Sequence, residues 1–412
     1  MASCSGEDMT LDDAHGRTHS SPAALRIVTV RDLDALRPHQ DVWDRLAWEA
    51  PQQLPTLLSD WVNASFRHGL RSNEQWLCSF AYDGDRLVGV LPVFVSPHPV
   101  LGPNWPQLRT CDRHTHYGDI VLAPDQATAA FNALLAELGR QVPNHLGLDL
   151  ARVRQDSPIW TVLEQGLEGY VVRRGLLHRG SVLNVTGDFD SYMAPLGNMR
   201  SNLKRYRKKL ERRGQVSTDI RTGSAASADF LDEFLMLEAS GWKGRSGTAL
   251  LNQPDSVPFH TALIGNFAAQ ERLEWHTIRV DEHLVAARMA LRCGSALLFP
   301  KIAFDEAFAE CRPGSILTEE TLRNAFSRPD ITELDFVTAS EAHRFWHFPQ
   351  REYIDVHLVR GSVYGLVFQL PGILVRSAYQ TRVRPRIPTS LRTAWRQYRR
   401  RGDRKPRRTG CA

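Results

Sequence analysis

The sequence predicts an α/β (α+β) fold in two domains, and three observations carry the prediction. The chain has 412 residues, with 42% hydrophobic and 24% charged content. That is ordinary soluble composition in a chain longer than one hydrophobic core usually grows. Helical and strand periodicities are interleaved along it. Two hairpin patterns about 200 residues apart also resemble each other. The first is Phe80-Ala81-Tyr82-Asp83 with Leu87-Val88-Gly89-Val90-Leu91. The second is Arg279-Val280-Asp281 with Leu284-Val285-Ala286-Ala287-Arg288.

The elements follow in order. Residues 1–22 are polar and expected to be disordered. Leu25–Val30 reads as a strand. Asp41–Glu49 and Asp60–His68 read as helices, the first with Trp43, Leu46 and Ala47 on one face. Trp76–Tyr82 and Leu87–Val95 form a hairpin around Asp83-Gly84-Asp85, a strong turn signal. His116–Val121 is expected as a strand, Ala127–Leu138 as a helix, Leu146–Val153 as a strand, Pro158–Glu168 as a helix and Ser181–Val185 as a strand. A second cycle begins with helices over Met199–Arg213 and Phe230–Glu238, the latter capped at Ser227 and stopped at Gly241. The helix Phe259–Ala269 follows Pro258. Leu273–Val280 and Leu284–Arg292 make a hairpin, Ala296–Phe304 a third strand, Ile316–Phe326 a helix, and Ile331–Phe336 and Tyr353–Val359 further strands. A short helix is expected around Leu391–Tyr398. Domains are thus expected at 23–180 and 181–375, followed by a basic, Arg-rich tail over 376–412.

Charge is unevenly placed. Residues Leu370–Ala412 carry 13 Lys or Arg and one acid, Asp403, leaving the body at about −7 and the tail at +12. Such a tail attracts nucleic acid or an anionic membrane surface, or simply keeps the chain soluble. The six scattered cysteines, with no CxxC, argue against a disulfide framework and a structural zinc site. No apolar h-region opens the chain, so no signal peptide is expected and the default location is cytoplasmic. The stretch Gly361–Val375 is about 15 residues, short of the roughly 20 that span a bilayer. It is expected to be buried or interfacial, and no transmembrane segment is expected.

Asn198–Gly214 holds eight basic residues, Arg200, Lys204, Arg205, Arg207, Lys208, Lys209, Arg212 and Arg213, against Glu211. Met199, Leu203, Tyr206 and Leu210 form one apolar stripe. The plain reading is an amphipathic helix with a solvated basic face. The other is an anionic partner met through Arg200, Lys204, Arg205 and Lys208: tRNA, a carrier protein, a lipid headgroup or an anionic glycan. His114 and His116, at strand spacing, point the same way and are expected to line a pocket rather than bind metal.

The densest cluster of motifs lies between residues 241 and 346. It comprises Gly241-Trp242-Lys243, Phe259-His260, Lys301-Ile302-Ala303-Phe304-Asp305, Arg312-Pro313-Gly314-Ser315, and Leu334-Asp335-Phe336 before Phe345 and Trp346. With Arg200-Ser201-Asn202-Leu203-Lys204-Arg205, these residues resemble the GNAT acetyltransferase superfamily. The likeness is to its BioF-like/CelD-type branch, whose tandem fold is shared with the FemAB peptidyltransferases. The clearer match covers roughly residues 180–350. The resemblance implies two GNAT-like domains, each a mixed, mainly antiparallel sheet flanked by helices. It implies acyl transfer to an amine, with acetyl-CoA or another acyl-CoA as co-substrate and no metal. The acceptor is expected to be a small molecule, a polysaccharide or a cell-envelope precursor. The chain departs from single-domain relatives in lacking an Arg/Gln-x-x-Gly-x-Gly/Ala run. Arg312-Pro313-Gly314-Ser315 stands in its place. Aminoacyl-tRNA, the FemAB donor, is the alternative; a non-catalytic binder of anionic glycan or lipid is a third.

Roles follow from that resemblance. Pro313, Gly314 and Ser315 open a helix, whose exposed N–H groups and positive dipole end suit a pyrophosphate. The plain alternative is a turn and cap, and Glu319 and Glu320 would repel phosphate there. Asp305 is expected to assist deprotonation of the amine, with Lys301 and Lys243 supplying positive charge. Asp305 and Lys301 also read as an ordinary ion pair at a strand end. Trp242, His260, Asp335 and Trp346 are expected to contact substrate. Neither Cys293 nor Cys311 has the surroundings of a nucleophile.

Overall fold

The computed structural model describes residues 24–387 apart from 112, 113, 115 and 227. In the first half, β1 (Arg26–Val30) leads through α1 (Gln40–Glu49) and α2 (Ser59–His68) to β2 (Gln75–Asp83), β3 (Arg86–His98) and β4 (Gly102–Arg109). Then come β5 (Val121–Leu122), α3 (Ala127–Gln141), β6 (Gly147–Arg154), α4 (Ile159–Gln165) and the long β7 (Tyr170–Asn184). The second half opens with α5 (Phe189–Met193), α6 (Met199–Glu211), β8 (Val216–Thr222), α7 (Ala228–Ser240), α8 (Trp242–Arg245) and α9 (Ser256–Ala269). It continues with β9 (Leu273–Val280), β10 (His283–Cys293), β11 (Ala296–Phe304), α10 (Pro313–Phe326), β12 (Glu333–Asp335), α11 (Glu341–Arg344), β13 (Gln350–Arg360) and α12 (Leu370–Ala378).

Local chemistry accounts for the two hairpins. The β2–β3 turn places Gly84 at φ 57° between the paired residues Asp83 and Arg86. The β9–β10 turn has no glycine, yet Asp281 and Glu282 both take positive φ, 47° and 68°. Two consecutive positive φ values match the strand twist in a two-residue hairpin. Asp281 is further held by its carboxylate, which accepts the Gln215 N–H at 2.8 Å.

The strands form one sheet in the order β1-β2-β3-β4-β6-β13-β7-β12-β11-β10-β9-β8, with β5 on β3. Its centre is an exchange of strands. β13, from the end of the chain, lies between β6 and β7, with Tyr353 opposite both Arg154 and His178. The last residues of β7 cross into the second half, where Val182 faces Asp335 of β12. Each half is thus completed by a strand of the other. The boundary expected at 180/181 falls inside β7.

Helices cover the sheet as the patterns require. Trp43 and Ala47 of α1 are buried, and Trp43 donates its indole N–H to the Leu57 carbonyl at 2.8 Å. One apolar core runs across both halves. In it Trp61 of α2 meets Phe259 of α9 edge-on, with ring centroids 5.7 Å apart. Around that contact Asp60 accepts from Asn266 and Gln270, and Asp44 pairs with Arg272.

Several expectations need correction. His116–Val121 is mostly a loop, with a single bridge at Gly118 and only Val121–Leu122 as strand. A Cβ on Gly118 would stand 2.6 Å from the Cys111 carbonyl oxygen, so the loop is packed rather than paired. β7 begins 11 residues before the expected Ser181. β4 and β8 were not expected. β4 carries Pro103 and Pro106, which tell against a strand, and β8 shows little alternation in Val216-Ser217-Thr218-Asp219-Ile220. Of the two readings of 361–375, buried or interfacial, the buried one does not hold, since from Val363 the stretch is a helix with most side chains exposed. The expected cap Ser227, residues 1–22 and the helix at Leu391–Tyr398 lie outside the described residues.

Candidate active site

The parallel strands β11 and β12 pair only through Ala296–Leu298 and then part. Past that point β11 has a bulge, where Phe299 and Pro300 together oppose Ala290 of β10. Pro300 has no N–H for the ladder, which fits this position. The opened edge of β11 becomes the floor of a groove of about 600 Å³, walled by α8, the start of α10 and residues 336–346.

α10 begins at this groove. Arg312 takes the left-handed conformation (φ 49°) and Pro313 is the first helical residue. A Cβ on Gly314 would meet nothing closer than Phe304 Cδ1 at 4.0 Å, so space stands open over the helix start. Glu319 and Glu320, which argued against an anion here, are both engaged by Arg207 of α6, Glu319 at 2.7 Å. One function of the basic helix is therefore internal: it neutralises the acids of α10.

Arg288 of β10 also lines the groove and is fully buried. Its guanidinium lies between the rings of Phe299 and Phe336, 5.4 and 5.3 Å from their centroids, and donates to the Thr318 and Thr321 hydroxyls. Among the described residues no carboxylate bonds it. Burial pushes its pKa down to about 9.

A second cavity of about 690 Å³ lies where the halves meet, and His116, Val337 and Thr338 belong to the walls of both. Its lining is cationic. Lys301 reaches it from β11, Arg152 and Arg179 from the first half, and among the described residues that line it Asp255 is the one acid. Arg179 is paired with Glu352. Burial lowers the Lys301 ammonium pKa, Glu238 opposes the shift, and Lys243 adds to it. His116 is held at a pKa of about 4 by burial and by the charges of Lys301 and Arg152. It is neutral at pH 7. Arg152 also donates to the His116 carbonyl at 3.2 Å.

The shared wall is conformationally strained. Val337 has φ 65°, costly for a β-branched side chain. Its N–H is held by Asp335 at 2.6 Å. A Cβ on Gly180 would stand 2.8 Å from the Val337 carbonyl oxygen, so only glycine lets β7 pass so close.

The expected site residues separate into groups. Pro313, Gly314, Ser315, Trp242, Lys243 and Trp346 line the groove, and Lys301 lines the second cavity. The Lys243 ammonium is occupied, 2.8 Å from both Glu238 and the Ile302 carbonyl. Asp305 lines neither cavity. It caps the turn at Glu306–Cys311 through the Ala307 N–H and lies 2.7 Å from His283 Nε2. Asp335 also lines neither. It is buried beneath the site, accepting from Tyr117, Tyr353 and Val337. His260 is buried with Nδ1 2.7 Å from the Ser256 carbonyl, and burial holds its pKa at about 3. Lys204, Arg205 and Lys208 are exposed on α6, while Arg200 pairs with Asp190. Arg288, Arg152 and Val337 escaped sequence reasoning. Arg288 is the one charge inside the apolar run Leu284–Leu291 of β10, and that interruption is the local signal that could have found it.

Residues 197–345 match the family model described as an acetyltransferase (GNAT) domain. Among solved structures, FemX is similar at 12% identity and a TM-score of 0.59, over 80% of this chain and 98% of FemX. A conserved protein of unknown function from Bacteroides thetaiotaomicron VPI-5482 is similar at 11% identity and a TM-score of 0.53, over 81% of this chain and all of that one. At these identities the likeness is one of fold. No curated protein matches the chain.

Proposed function

We propose that this chain, whose residues 197–345 match an acetyltransferase (GNAT) domain, transfers an acyl group from an acyl-CoA in the groove to an amine presented in the cationic cavity. The observation that carries the reading is the common wall: His116, Val337 and Thr338 border both spaces. Residues present fit the donor. The start of α10, with Gly314 open above it and Ser315 beside it, suits the pyrophosphate, and the widened edge of β11 suits the pantetheine arm. The thioester supplies an activated carbonyl carbon.

The chain's own residues then have distinct tasks. Lys301 and Arg152 make the acceptor cavity positive, which lowers the pKa of an ammonium bound there and raises its free-amine fraction. They also favour an acceptor bearing a carboxylate or phosphate beside its amine, as small-molecule, polysaccharide and cell-envelope precursors often do. His116, neutral at pH 7, takes the proton released as the new C–N bond forms and the thioester C–S bond breaks, and passes it to the departing CoA thiolate, which leaves as the free thiol. Asp335 acts at one remove, positioning Tyr117, Tyr353 and Val337. Trp242 and Trp346 wall the donor groove.

A second reading, aminoacyl-tRNA as donor, is favoured by the exposed cations Lys204, Arg205 and Lys208 on the helix that packs against α10. The test is calorimetric titration with CoA and acyl-CoAs, followed by thiol release in the presence of amines. Saturable binding, lost in Gly314→Val, supports the CoA reading. No binding at millimolar donor, with RNA retained at low salt and released at high salt, replaces it with the second.

A further inference from the structure

The strongest feature outside the site is the C-terminal helical segment. After β13 ends at Arg360, the chain is helical from Val363 to Arg386, with π-helical stretches at Gly365–Gln369 and Tyr379–Val383. Only Gly365 and Gln369 are buried in it, and Leu370, Ile373, Ser377 and Gln380 are partly buried. These fall on one face, which rests on the protein. The rest of the surface is exposed and apolar: nine of the 15 large hydrophobic residues exposed on the described molecule lie between Val363 and Val383. Val363 is 74%, Val375 69% and Val367 55% exposed. A soluble chain seldom leaves such a patch open without a use.

The neighbouring β3–β4 hairpin extends the patch. Trp105 of β4 stacks on Tyr364 with centroids 3.7 Å apart, and His98 of β3 meets Phe368 edge-on. At the hairpin tip Val100 is 78% exposed.

Charge identifies the occupant. From Gly361 to Gly402 there is no Asp or Glu, while Arg376, Arg382, Arg384 and Arg386 lie on the helical segment itself. Residues 388–412, which follow directly, add nine more Lys or Arg against Asp403. A second copy of the chain would bring the same positive charge to the same face and be repelled. An anionic bilayer satisfies both features, since acyl chains accept the apolar side chains while lipid phosphates meet the arginines. No described helix is long and apolar enough to cross a membrane. The geometry points to a helix lying in the plane of the interface.

We propose that residues 363–386, with the tip of the β3–β4 hairpin, form a peripheral docking surface for an anionic lipid bilayer. None of residues 363–386 lines the groove or the acceptor cavity, and the segment starts beyond Arg360, seven residues along β13 from the cavity residue Tyr353, roughly 23 Å at about 3.3 Å per residue. Variants there leave the active site intact.

The test is sedimentation of the full chain with vesicles of phosphatidylcholine alone and of phosphatidylcholine mixed with phosphatidylglycerol. The chain is expected to sediment with the mixed vesicles only, less so as salt rises. The double variant Val367→Asp/Val375→Asp, at two exposed positions, is expected to weaken partition at least about tenfold with an unchanged thermal transition. Three results overturn the proposal: no sedimentation with anionic vesicles, sedimentation unchanged in the double variant, or a dimer in solution that the same variant dissolves. The second assigns the attraction to the basic tail alone, and the third assigns the face to a second copy.

Discussion

His116 stands between two cavities, and its low pKa defines its behaviour. A base with a pKa of about 4 is ready at pH 7 and lost only as pH falls through about 4. His116→Gln is therefore expected to lower kcat by about 10²–10⁴-fold and to remove that acid limb from the pH profile of kcat/KM. Thiol release measured across pH checks both. Arg288 makes a contrasting prediction, since its burial is costly and no carboxylate among the described residues offsets it. Arg288→Met, similar in volume and apolar, is expected to leave stability unchanged or raise it by about 1–4 kcal/mol. The same change is expected to weaken donor binding. A melt and a titration on one preparation test the pair, and a strongly destabilised variant would show that Arg288 serves the fold alone.

Among elements, the start of α10 and the crossing of β7 matter most. Gly314→Val projects into open space, so the thermal transition is expected to stay in place while donor affinity drops at least about tenfold. Gly180→Ala is the opposite case. Its new methyl meets the Val337 carbonyl, and overpacking of this kind costs about 1–3 kcal/mol. Because Val337 borders both cavities, activity is expected to fall further than stability explains, which chemical denaturation and kinetics together would reveal. Nothing near Gly180 in sequence announces this, since its partner lies 157 positions away.

At the scale of the whole molecule, the exchange of β7 and β13 and the core shared by Trp61 and Phe259 tie the halves into one unit. Trp61→Ala is expected to cost about 3–5 kcal/mol and to leave a single unfolding transition for the whole chain. Two resolved transitions in calorimetry would contradict that coupling. Stability should also depend on pH through histidines that are buried, His145 and His260, or half-buried, His116 and His343. His116, His145 and His343 are lowered to about 4 and His260 to about 3, mainly by burial, from 6.5. Their folded pKa values lie below the unfolded one, so between pH 6.5 and 4 the unfolded chain binds more protons. Stability present above pH 6.5 is lost as pH falls through that window, and melting temperatures taken across it should decline steadily.

What the sequence determined by itself was local and repetitive. Alternation marked the two hairpins, helical spacing marked α1 and α6, and Pro313-Gly314-Ser315 marked a helix start. These signals are legible because each is produced by residues within a turn or two of one another. Tertiary structure decided which of the candidate residues meet. It turned Asp305 into a cap and Asp335 into a support for two tyrosines, and it occupied Lys243 with Glu238. It brought His116 and Lys301, 185 positions apart, to one cavity. The physical reason is that sheet order and strand exchange place residues by long-range pairing, and pairing of that kind leaves no mark on local composition or periodicity.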